Sequence, residues 1–410
     1  MKYIIIGNSA AGIGAAEGIR KIDSQGEIMI ITDEPHHTYS RPLISYLLKG
    51  KVTKDRMKYR GDNFYEDNHI TLLNNKVVKI NNNDKKVILA DGTELGYDKL
   101  LTAAGSSAFV PPFAGLETVP EKFTFMCLDD ARKLDTVLAK DKRVLIIGAG
   151  LIGLKCAEGI LNRVAKVTVL DLAPRILSSI LDDEGALIVK GHLETQGLNF
   201  ILAETVEKFA EKTAFLSNGK RIDFDILVLA VGVRPNTDLL KGVAKIDRGI
   251  VINNKSETTA SDIYAAGDCT QAVDISDGQS KIMALLPNAY IQGECAGINM
   301  AGGDITYDKY IPMNAIGFFG LSIITAGNYL GYSYLVNDKE NKNYKKMFYD
   351  NNKLNGFILI GNILRAGIYT ALIREQTPLD SINFPLILEK PGLIAFTKEE
   401  RDKKLGGIPT

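Results

Sequence analysis

The glycines at positions 7 and 12 stand in a pattern that suits binding of a dinucleotide. Gly7 tolerates the positive φ of a tight turn, and Gly12 lets a following helix approach the strand before it. Glu34 follows 22 residues after Gly12, near the offset of about 20 at which an acid binds a ribose hydroxyl. Ser9 replaces the middle glycine of the pattern and slightly crowds the pyrophosphate. The residues expected to form this first cradle are Gly7, Ser9, Ala10, Ala11, Gly12 and Glu34.

A second pattern, from Gly148 to Gly153, has all three glycines of GxGxxG and is the stronger of the two. Asp171 follows 18 residues after Gly153. A carboxylate there favours a free ribose 2′-hydroxyl, which predicts NAD(H) ahead of NADP(H). Arg175 lies close enough in sequence to accept a phosphate, so NADP(H) stays open as the second choice. The residues expected to form this second cradle are Gly148, Gly150, Leu151, Ile152, Gly153, Asp171, Arg175 and Gly232.

Each cradle is flanked by the elements of a βαβ unit. Around the first, the apolar runs 2–6 and 27–31 are predicted strands, and residues 12–20 a helix. Around the second, the strands are 143–147 and 166–170, and the helix is 154–162. A helix that begins at the glycines aims its free N–H groups and positive dipole end at a pyrophosphate. The sequence therefore predicts an α/β fold with two Rossmann-like domains.

Charge and apolar patterning exclude several classes of protein. Lysines and arginines number 49, as do aspartates and glutamates, so the formal net charge is zero. This balance argues against a general nucleic-acid-binding protein. No apolar stretch approaches the roughly 20 residues of a membrane span, and the first residues lack the continuous apolar core of a signal peptide. We expect a cytoplasmic protein without a nucleic-acid or membrane partner.

The cysteine and histidine positions predict no metal site. Cys127, Cys156, Cys269 and Cys295 form no CxxC pair, and the four histidines are scattered. This spacing is not that of a disulfide scaffold, a zinc site or an iron–sulfur ligand set. Three of the cysteines, at 156, 269 and 295, are interpreted as packing residues.

The last hundred residues differ in pattern from the rest. Residues 345–349 and 354–360 flank Asp350-Asn351-Asn352-Lys353, which is typical of a hairpin, and a helix is predicted over 365–374. These features predict an α+β domain. The tail from Pro385 to Thr410 carries prolines and charges and is expected to wrap the surface.

This chain combines three features: the two dinucleotide patterns, a segment running from Tyr39 to Ser45, and a Gly267-Asp268 pair after an apolar strand. Together they resemble the FAD-dependent pyridine nucleotide oxidoreductases, in the branch of NADH:rubredoxin reductases and the flavin portion of nitrite reductases. The resemblance implies FAD in the first cradle and the nicotinamide cofactor in the second. Further FAD contacts implied by the match are Arg41, Pro42, Val77, Ala103, Ala104, Gly105, Gly267, Asp268, Asn288 and Ala289.

The chain departs from the family pattern in three further places, and the second and third bear on mechanism. Ala104 replaces a threonine, which removes one hydroxyl contact. No cysteine precedes Cys127, so a thiol relay beside the flavin is not expected and electrons should leave the reduced flavin directly. Lys155 stands where the second helix of the family carries a glutamate, and Glu158 follows on the same helix face. Lys155 and Glu158 are the only candidates for catalytic side chains, since the chemistry is expected to be that of the flavin.

The implied organisation has three domains: residues 1–115 with 253–304 for FAD, 116–252 for NAD, and 305–410 as a C-terminal interface domain. The implied activity passes a hydride from NADH to FAD and then electrons to a rubredoxin- or ferredoxin-type carrier. Two alternatives stay open at this point. One is an NADH oxidase or diaphorase that reduces oxygen or a small molecule. The other is a flavin-dependent redox sensor or scaffold subunit.

A basic run from Lys49 to Arg60 holds six cations and a single acid, Asp55. We interpret it as a docking surface for a small acidic electron carrier or iron–sulfur subunit, acting mainly on the association rate. An equally good interpretation is that the basic run is simply the solvated face of a loop and a helix, with no docking role. For the oligomeric state of the chain, the assembly that we consider is a homodimer.

Overall fold

The computed structural model describes residues 1–405, with backbone alone for 403–405. The helices are α1 (Ala10–Ile22), α2 (Ile44–Leu48), α3 (Phe64–Asp67), α4 (Leu128–Asp135), α5 (Leu151–Ile160), α6 (Asp183–Thr195), α7 (Leu286–Met300), α8 (Ala366–Arg374), α9 (Phe384–Glu389) and α10 (Lys398–Leu405). The strands up to residue 170 are β1 (Lys2–Ile6), β2 (Glu27–Thr32), β3 (Ile70–Asn74), β4 (Val77–Asn81), β5 (Lys86–Leu89), β6 (Glu94–Gly96), β7 (Lys99–Thr102), β8 (Ser106–Ala108), β9 (Lys122–Phe123), β10 (Arg143–Ile147) and β11 (Lys166–Leu170).

The remaining strands are β12 (Asn199–Ile201), β13 (Val206–Ala210), β14 (Thr213–Leu216), β15 (Arg221–Asp223), β16 (Ile226–Leu229), β17 (Val233–Pro235), β18 (Ile250–Val251), β19 (Ile263–Ala265), β20 (Thr270–Val273), β21 (Ser280–Lys281), β22 (Met313–Phe318), β23 (Leu321–Gly327), β24 (Tyr332–Asp338), β25 (Asn343–Asp350) and β26 (Lys353–Ile360). The chain divides into two compact units. The first comprises Met1–Ser178, Leu193–Ala272 and Ser280–Asp308, and the second comprises Ser179–His192, Val273–Gln279 and the residues from Lys309 onward. The boundaries of the three expected domains stay a prediction.

The first unit contains two five-stranded parallel sheets. One has the order β19-β7-β1-β2-β3 and the other the order β12-β11-β10-β16-β9. In each sheet the strand that leads into a glycine cradle is central, with β1 paired to β2 and β7, and β10 paired to β11 and β16. These strands are buried apart from their first residue, as expected of parallel strands covered on both faces. The predicted pair of Rossmann-like folds is confirmed.

Both cradle helices begin earlier than the sequence analysis placed them. Helix α1 starts at Ala10 instead of Gly12, and α5 starts at Leu151 instead of Leu154. The last glycine of each pattern therefore lies inside the first helical turn. Its role is to allow close packing of helix on strand, which a glycine provides without ending the helix.

The second unit is built on an antiparallel sheet with the order β22-β23-β26-β25-β24. Strand β25 pairs with β26 across the predicted hairpin, and α8 begins at Ala366 as expected to within one residue. The predicted C-terminal α+β fold is confirmed. The expectation that the tail wraps the surface is wrong for part of it, because Ile387 and Phe396 are buried in the core of this unit. Residues 406–410 lie outside the described part.

Among residues 1–405, no helix combines the length and apolar character needed to cross a bilayer.

Candidate functional site

The first cradle is a turn that only glycine can make. Gly7 has φ +115°, and a Cβ atom added there would lie 2.2 Å from the carbonyl oxygen of Ala103. A Cβ atom at Gly12 would lie 2.0 Å from the carbonyl oxygen of Gly7. Strand and helix therefore meet at backbone contact. The Ser9 side chain makes no capping hydrogen bond, so it does not occupy the first-turn N–H groups of α1 that would bind a phosphate.

The cradle lies where the strand order of its sheet reverses. Strands β2 and β3 extend the sheet on one side of β1, while β7 and β19 extend it on the other. Ligands of open α/β sheets bind in the crevice at the carboxyl ends of the strands at such a point. Ala103 lies at this edge after β7, where its N–H donates to the Ile6 carbonyl at 2.8 Å.

Three segments distant in sequence meet beside this crevice. A Cβ atom at Gly267, which has φ +84°, would lie 3.1 Å from the Cβ of Ala11 and 3.6 Å from that of Ala289. The turn after β19 thus contacts the first turns of both α1 and α7. Asn288, 2% exposed, precedes Ala289 in the first turn of α7.

Gln292 fixes this turn, a role that the sequence analysis missed. Its side-chain oxygen accepts hydrogen bonds from the Gly267 N–H at 2.8 Å and from the Thr270 hydroxyl at 3.1 Å. Gln292 is buried and lies one helical turn after Asn288. The sequence did offer a signal for this role: a glutamine lies on the buried face of a predicted helix, and a buried amide needs hydrogen-bond partners.

Asp268 is a half-buried carboxyl group with a polar neighbour from the strand β8 segment. The Ser106 hydroxyl donates to its Oδ2 at 3.2 Å. Burial raises the pKa of Asp268, while the Ser106 hydrogen bond and the charge of Arg41 act in the opposite direction. A carboxyl group that is poorly solvated is stabilised by hydrogen bonds from a ligand with hydroxyl groups, such as the ribityl chain of FAD.

Glu34, the predicted ribose acid, is held by two donors. It forms an ion pair with Arg41, and the Tyr39 hydroxyl donates to its Oε2 at 2.6 Å. The Tyr39 oxygen in turn accepts the N–H of Leu128 at 2.9 Å. A cleft lies along these side chains, and its lining consists of Asn8, Ser9, Thr32, Glu34, His36, His37, Tyr39 and Arg41.

Other predicted FAD residues occupy three places. Val77 is buried in an apolar cluster with Ile6 and Ile31, and Pro42 is exposed in the short 3₁₀ helix Arg41–Leu43. The carbonyl of Ala104 accepts the Asn236 side-chain amide at 2.8 Å, and that of Gly105 accepts the Asn236 N–H at 2.9 Å. Each predicted role stays a prediction.

The first cradle fits FAD. The first-turn N–H groups of α1 are not capped by the Ser9 side chain, and Asp268 is an acceptor that burial penalises. Three buried polar atoms in this region also lack a protein partner within the described chain: Nε2 of His37, Oγ1 of Thr38 and Oγ1 of Thr102. Buried polar atoms of this kind are normally satisfied by water or a ligand.

The second cradle repeats the first with one informative difference. Gly148 has φ +114°, and its Cβ would lie 2.2 Å from the Ala230 carbonyl oxygen. The Cβ of Gly153 would lie 2.0 Å from the Gly148 carbonyl oxygen. A Cβ at Gly150 meets no atom of the described residues within 4 Å, so packing within that part of the chain does not require this glycine. Open backbone at the middle glycine fits the close approach of a pyrophosphate.

Asp171 directly follows β11 and is positioned by two backbone N–H groups, one of them in the glycine turn of the second cradle. Its Oδ2 accepts the Ala149 N–H at 2.6 Å and its Oδ1 accepts the Ala173 N–H at 2.7 Å. Both oxygens keep lone pairs for ribose hydroxyls. Arg175 donates to the Ser178 carbonyl at 3.3 Å. Leu151 and Ile152 lie half-buried in the first turn of α5, and Gly232 follows β16 with φ +125°.

The candidate catalytic residues are ion-paired. Lys155 pairs with Glu158 on α5, and the Nζ of Lys49 donates to Glu158 at 2.9 Å. Their catalytic role stays a prediction.

The basic run is partly neutralised. Besides Lys49, Lys58 pairs with Asp62, and Arg60 pairs with Glu17 at 2.6 Å. The exposed cations that remain are Lys51, Lys54 and Arg56.

Two cysteines are inert in this environment. Cys156 is fully buried, and its thiol pKa is raised by that burial. Cys269 follows Asp268 but directs its sulfur to the carbonyls of Thr102 and Ala266, and burial raises its pKa to about 12. A thiol in this state is a poor nucleophile.

Two parallel sheets with paired glycine cradles, one of them fitting FAD, define a flavoprotein that uses a second dinucleotide. Residues 1–293 match the family described as pyridine nucleotide-disulphide oxidoreductase, and residues 312–377 match the rubredoxin NAD+ reductase C-terminal domain. The chain belongs to the pyridine nucleotide-disulphide oxidoreductase family. It is an FAD-dependent NADH oxidoreductase, which confirms the resemblance and both predicted cofactors.

Several named relatives cover most of the chain. The NADH-dependent phenylglyoxylate dehydrogenase subunit epsilon of Aromatoleum evansii is 31% identical over 391 residues, with 92% of each chain covered. The NADH oxidase of Methanocaldococcus jannaschii is 34% identical, covering 76% of this chain and 72% of its own. The solved NADH:rubredoxin oxidoreductase of Clostridium acetobutylicum superposes with a TM-score of 0.74 at 26% identity, covering 91% of this chain and 95% of its own.

Proposed function

We propose that this protein carries electrons from NADH, through FAD, to a small iron–sulfur protein of the rubredoxin or ferredoxin type. The observation that carries the proposal is the presence of two cradles with backbone-tight glycine turns in one compact unit. The match of residues 312–377 to a rubredoxin reductase C-terminal domain supports the class of acceptor. The similarity to the rubredoxin reductase of Clostridium acetobutylicum does so too.

The residues of the first cradle would hold FAD. The first turns of α1 and α7 would bind its charged groups, because helix N-termini attract anions. Asp268 would accept ribityl hydroxyls, with Ser106 and Gln292 orienting the turn. Glu34 would accept ribose hydroxyls while Arg41 and Tyr39 hold it in place.

The residues of the second cradle would hold NADH. Gly150 would leave room for the pyrophosphate, and Asp171 would accept ribose hydroxyls. When bound, FAD would supply the redox chemistry: it would take a hydride from NADH and give up two electrons and one proton. Burial raises the pKa of the Cys156 and Cys269 thiols, so neither of these two cysteines would carry a thiol step.

Anaerobic stopped-flow mixing with NADH tests the proposal. The flavin absorbance of the purified protein should bleach, and added rubredoxin or ferredoxin should restore it at a rate that depends on carrier concentration. A flavin that NADH does not bleach would leave the sensor or scaffold interpretation instead. Bleaching without reoxidation by either carrier would contradict the proposed acceptor.

An oxidase is the second candidate, and a specific observation favours it. The NADH oxidase of Methanocaldococcus jannaschii is 34% identical to this chain. Aerobic turnover that equals or exceeds turnover with saturating carrier would support the oxidase. Aerobic turnover far below the carrier rate would support electron transfer to the iron–sulfur protein.

We further propose that the exposed cations Lys51, Lys54 and Arg56 form the docking surface for an acidic carrier. The double reversal K51E/K54E should raise the KM for the carrier and flatten its dependence on salt. Reversal of the exposed Lys220 and Lys245 in K220E/K245E changes net charge equally and should have little effect. Equal effects of the two double variants would attribute the change to net charge and contradict a local surface.

A further inference from the structure

The three exposed cations of the proposed docking surface, Lys51, Lys54 and Arg56, lie on residues 50–56. We call this segment, which connects α2 to Met57, the cation loop. Charges on such a surface steer an acidic partner and fix its orientation, so their effect depends on where the loop holds them. A loop that becomes ordered only on binding loses conformational entropy at that moment, which weakens the complex. The contacts that fix the cation loop therefore bear on how well a carrier binds.

The segment that follows the cation loop is fixed first by backbone contacts. Met57 is fully buried, and its carbonyl oxygen accepts the Ser40 N–H at 2.8 Å. The Tyr59 N–H donates to the Thr38 carbonyl oxygen at 2.9 Å. Residues 57–59 are thus aligned with residues 38–40.

Arg60 supplies a second attachment, made by side chains. Its Nε donates to Oε1 of Glu17 at 2.6 Å, and its Nη2 donates to Oε2 at 2.9 Å. The Tyr290 hydroxyl also donates to Oε2 of Glu17, at 2.6 Å. The guanidinium carbon of Arg60 lies 4.5 Å from the ring centre of Tyr59 and 5.5 Å from that of Tyr290. We call Glu17, Tyr59, Arg60 and Tyr290 the anchor cluster.

The anchor cluster ties the end of the basic run to two helices of the first cradle. Glu17 belongs to α1 and Tyr290 to α7. The side chains of Arg60 and Glu17 are only 28% and 22% exposed. Burial opposes ionisation of Glu17, but the hydrogen bonds from Arg60 and Tyr290 outweigh it and lower the pKa of this carboxyl group. A bidentate pair between a guanidinium and a carboxylate fixes direction as well as distance.

We propose that Arg60, held by Glu17 and Tyr290, is a positioning residue that fixes the cation loop in the arrangement an acidic iron–sulfur carrier binds. The inference rests on the proposed docking of the carrier at the cation loop. Arg60 acts through the loop, because it holds residues 57–60 against α1 and α7 and so sets the direction in which the preceding residues present their charges. The KM for the carrier should depend on the anchor cluster, whereas kcat at saturating carrier should not.

The test is steady-state reduction of a purified rubredoxin by NADH, catalysed by the flavin-containing protein. R60M lowers the net charge by one and E17Q raises it by one, yet both break the same ion pair. Net charge alone would raise the KM for rubredoxin in R60M and lower it in E17Q. Positioning predicts a rise in both, by roughly 3–10-fold, with kcat unchanged. Y290F keeps every charge but loses one hydrogen bond to Glu17, so it should give a smaller rise.

A matched control is available on the same two helices. Glu294 of α7 pairs with Lys21 of α1 at 2.6 Å. E294Q changes the net charge as E17Q does and also breaks an ion pair between α1 and α7, but it leaves Arg60 and Glu17 intact. Its KM for rubredoxin should stay at the wild-type value. An equal rise in E294Q and E17Q would attribute the effect to loosened helices and overturn the inference.

Limited digestion with trypsin gives a measurement that needs no carrier. E17Q keeps every lysine and arginine, so faster cleavage after Lys51, Lys54 or Arg56 than in wild type and E294Q would report a loosened cation loop. Unchanged cleavage in E17Q would overturn the inference, as would faster cleavage with an unchanged or lowered KM for rubredoxin. If R60M fails to retain FAD, the comparison of E17Q with E294Q decides in the same way.

Failure of the docking surface itself has a different signature. An unchanged KM in K51E/K54E would contradict the proposed docking surface. A raised KM in K51E/K54E with no rise in E17Q or Y290F would contradict the anchor cluster alone.

Discussion

The backbone of Gly293 lies against the carbonyl oxygen of Ala11, and a Cβ atom at position 293 would come within 2.0 Å of that oxygen. The contact recurs one turn later, where a Cβ at Gly297 would lie 2.1 Å from the Ala15 oxygen. In the opposite direction, Gly14 and Gly18 of α1 approach the backbone of α7 at 2.4 Å by the same measure. Helices α1 and α7 are therefore packed at the limit of approach, which sets their first turns side by side at Gly267.

The variant G293A should destabilise the protein and weaken FAD binding together. The added methyl group forces α1 and α7 apart, and overpacking of this kind costs about 1–3 kcal/mol. Thermal unfolding and FAD release, followed by flavin fluorescence, measure the two effects. The control is G191A in α6, where a Cβ meets nothing within 4 Å in the part of the chain that the structure describes. Alanine there should stabilise the helix by up to about 1 kcal/mol. Similar behaviour of both variants would contradict the close-packing account.

Alanine substitutions at two glycines of the second cradle should affect different properties, NADH binding in one case and stability in the other. G150A adds a methyl group where no described residue lies within 4 Å, so the unfolding temperature should stay close to wild type while the Kd for NADH rises. G153A forces contact with the Gly148 carbonyl at 2.0 Å, so it should lower the unfolding temperature. Thermal scans and NADH titrations measure both properties. A large loss of stability in G150A, or unchanged NADH affinity, would argue against a pyrophosphate at Gly150.

Asp268 should give the apoprotein a specific pH dependence. Because burial raises its pKa, the folded apoprotein binds this proton more tightly than the unfolded chain. Stability from this group is therefore present below the unfolded pKa and is lost as pH rises through the higher folded pKa. D268N removes the buried charge, so it should stabilise the apoprotein at neutral pH, and the gain should shrink in acid.

The same D268N variant should bind FAD more weakly. Hydrogen bonds to a charged acceptor contribute about 1.5–3 kcal/mol, so roughly a 10–100-fold loss of affinity is expected. D238N, at a carboxylate that is 84% exposed, is the control and should change neither property. FAD titration and pH-dependent unfolding of the apoprotein are the measurements. Unchanged FAD affinity in D268N would remove Asp268 from the cofactor site.

Asp171 should control the preference for NADH over NADPH. D171N removes the negative charge that a 2′-phosphate would meet, so kcat/KM for NADPH should rise relative to NADH. An amide has one acceptor oxygen, so one of the bonds from Ala149 and Ala173 is lost and stability should fall by about 1–3 kcal/mol. D141N, at a carboxylate that is 76% exposed, is the charge-matched control. A constant preference in D171N would place the ribose elsewhere.

Local sequence determined the two cradles. The pattern consists of the glycine spacing, the short apolar strands and an acid about 20 residues after the last glycine, and it spans about thirty residues. Within that span, backbone sterics allow few other conformations. The turns at Gly7 and Gly148 follow from this logic, as do the acids Glu34 and Asp171. The resemblance supplied Asp268 and Asn288, whose positions next to the first cradle no local pattern indicates.

Only the tertiary structure decided which distant side chains meet. The glycines of α1 and α7 read as ordinary helix residues until two helices more than 250 residues apart in sequence come together. In the sequence Lys49 is part of a basic run, yet in the structure it forms an ion pair with Glu158 on another helix. The composition of the tail is charged, yet in the structure Phe396 packs into a hydrophobic core. Ion pairs and packing across long sequence separations depend on the final positions of whole elements, which residue spacing does not encode.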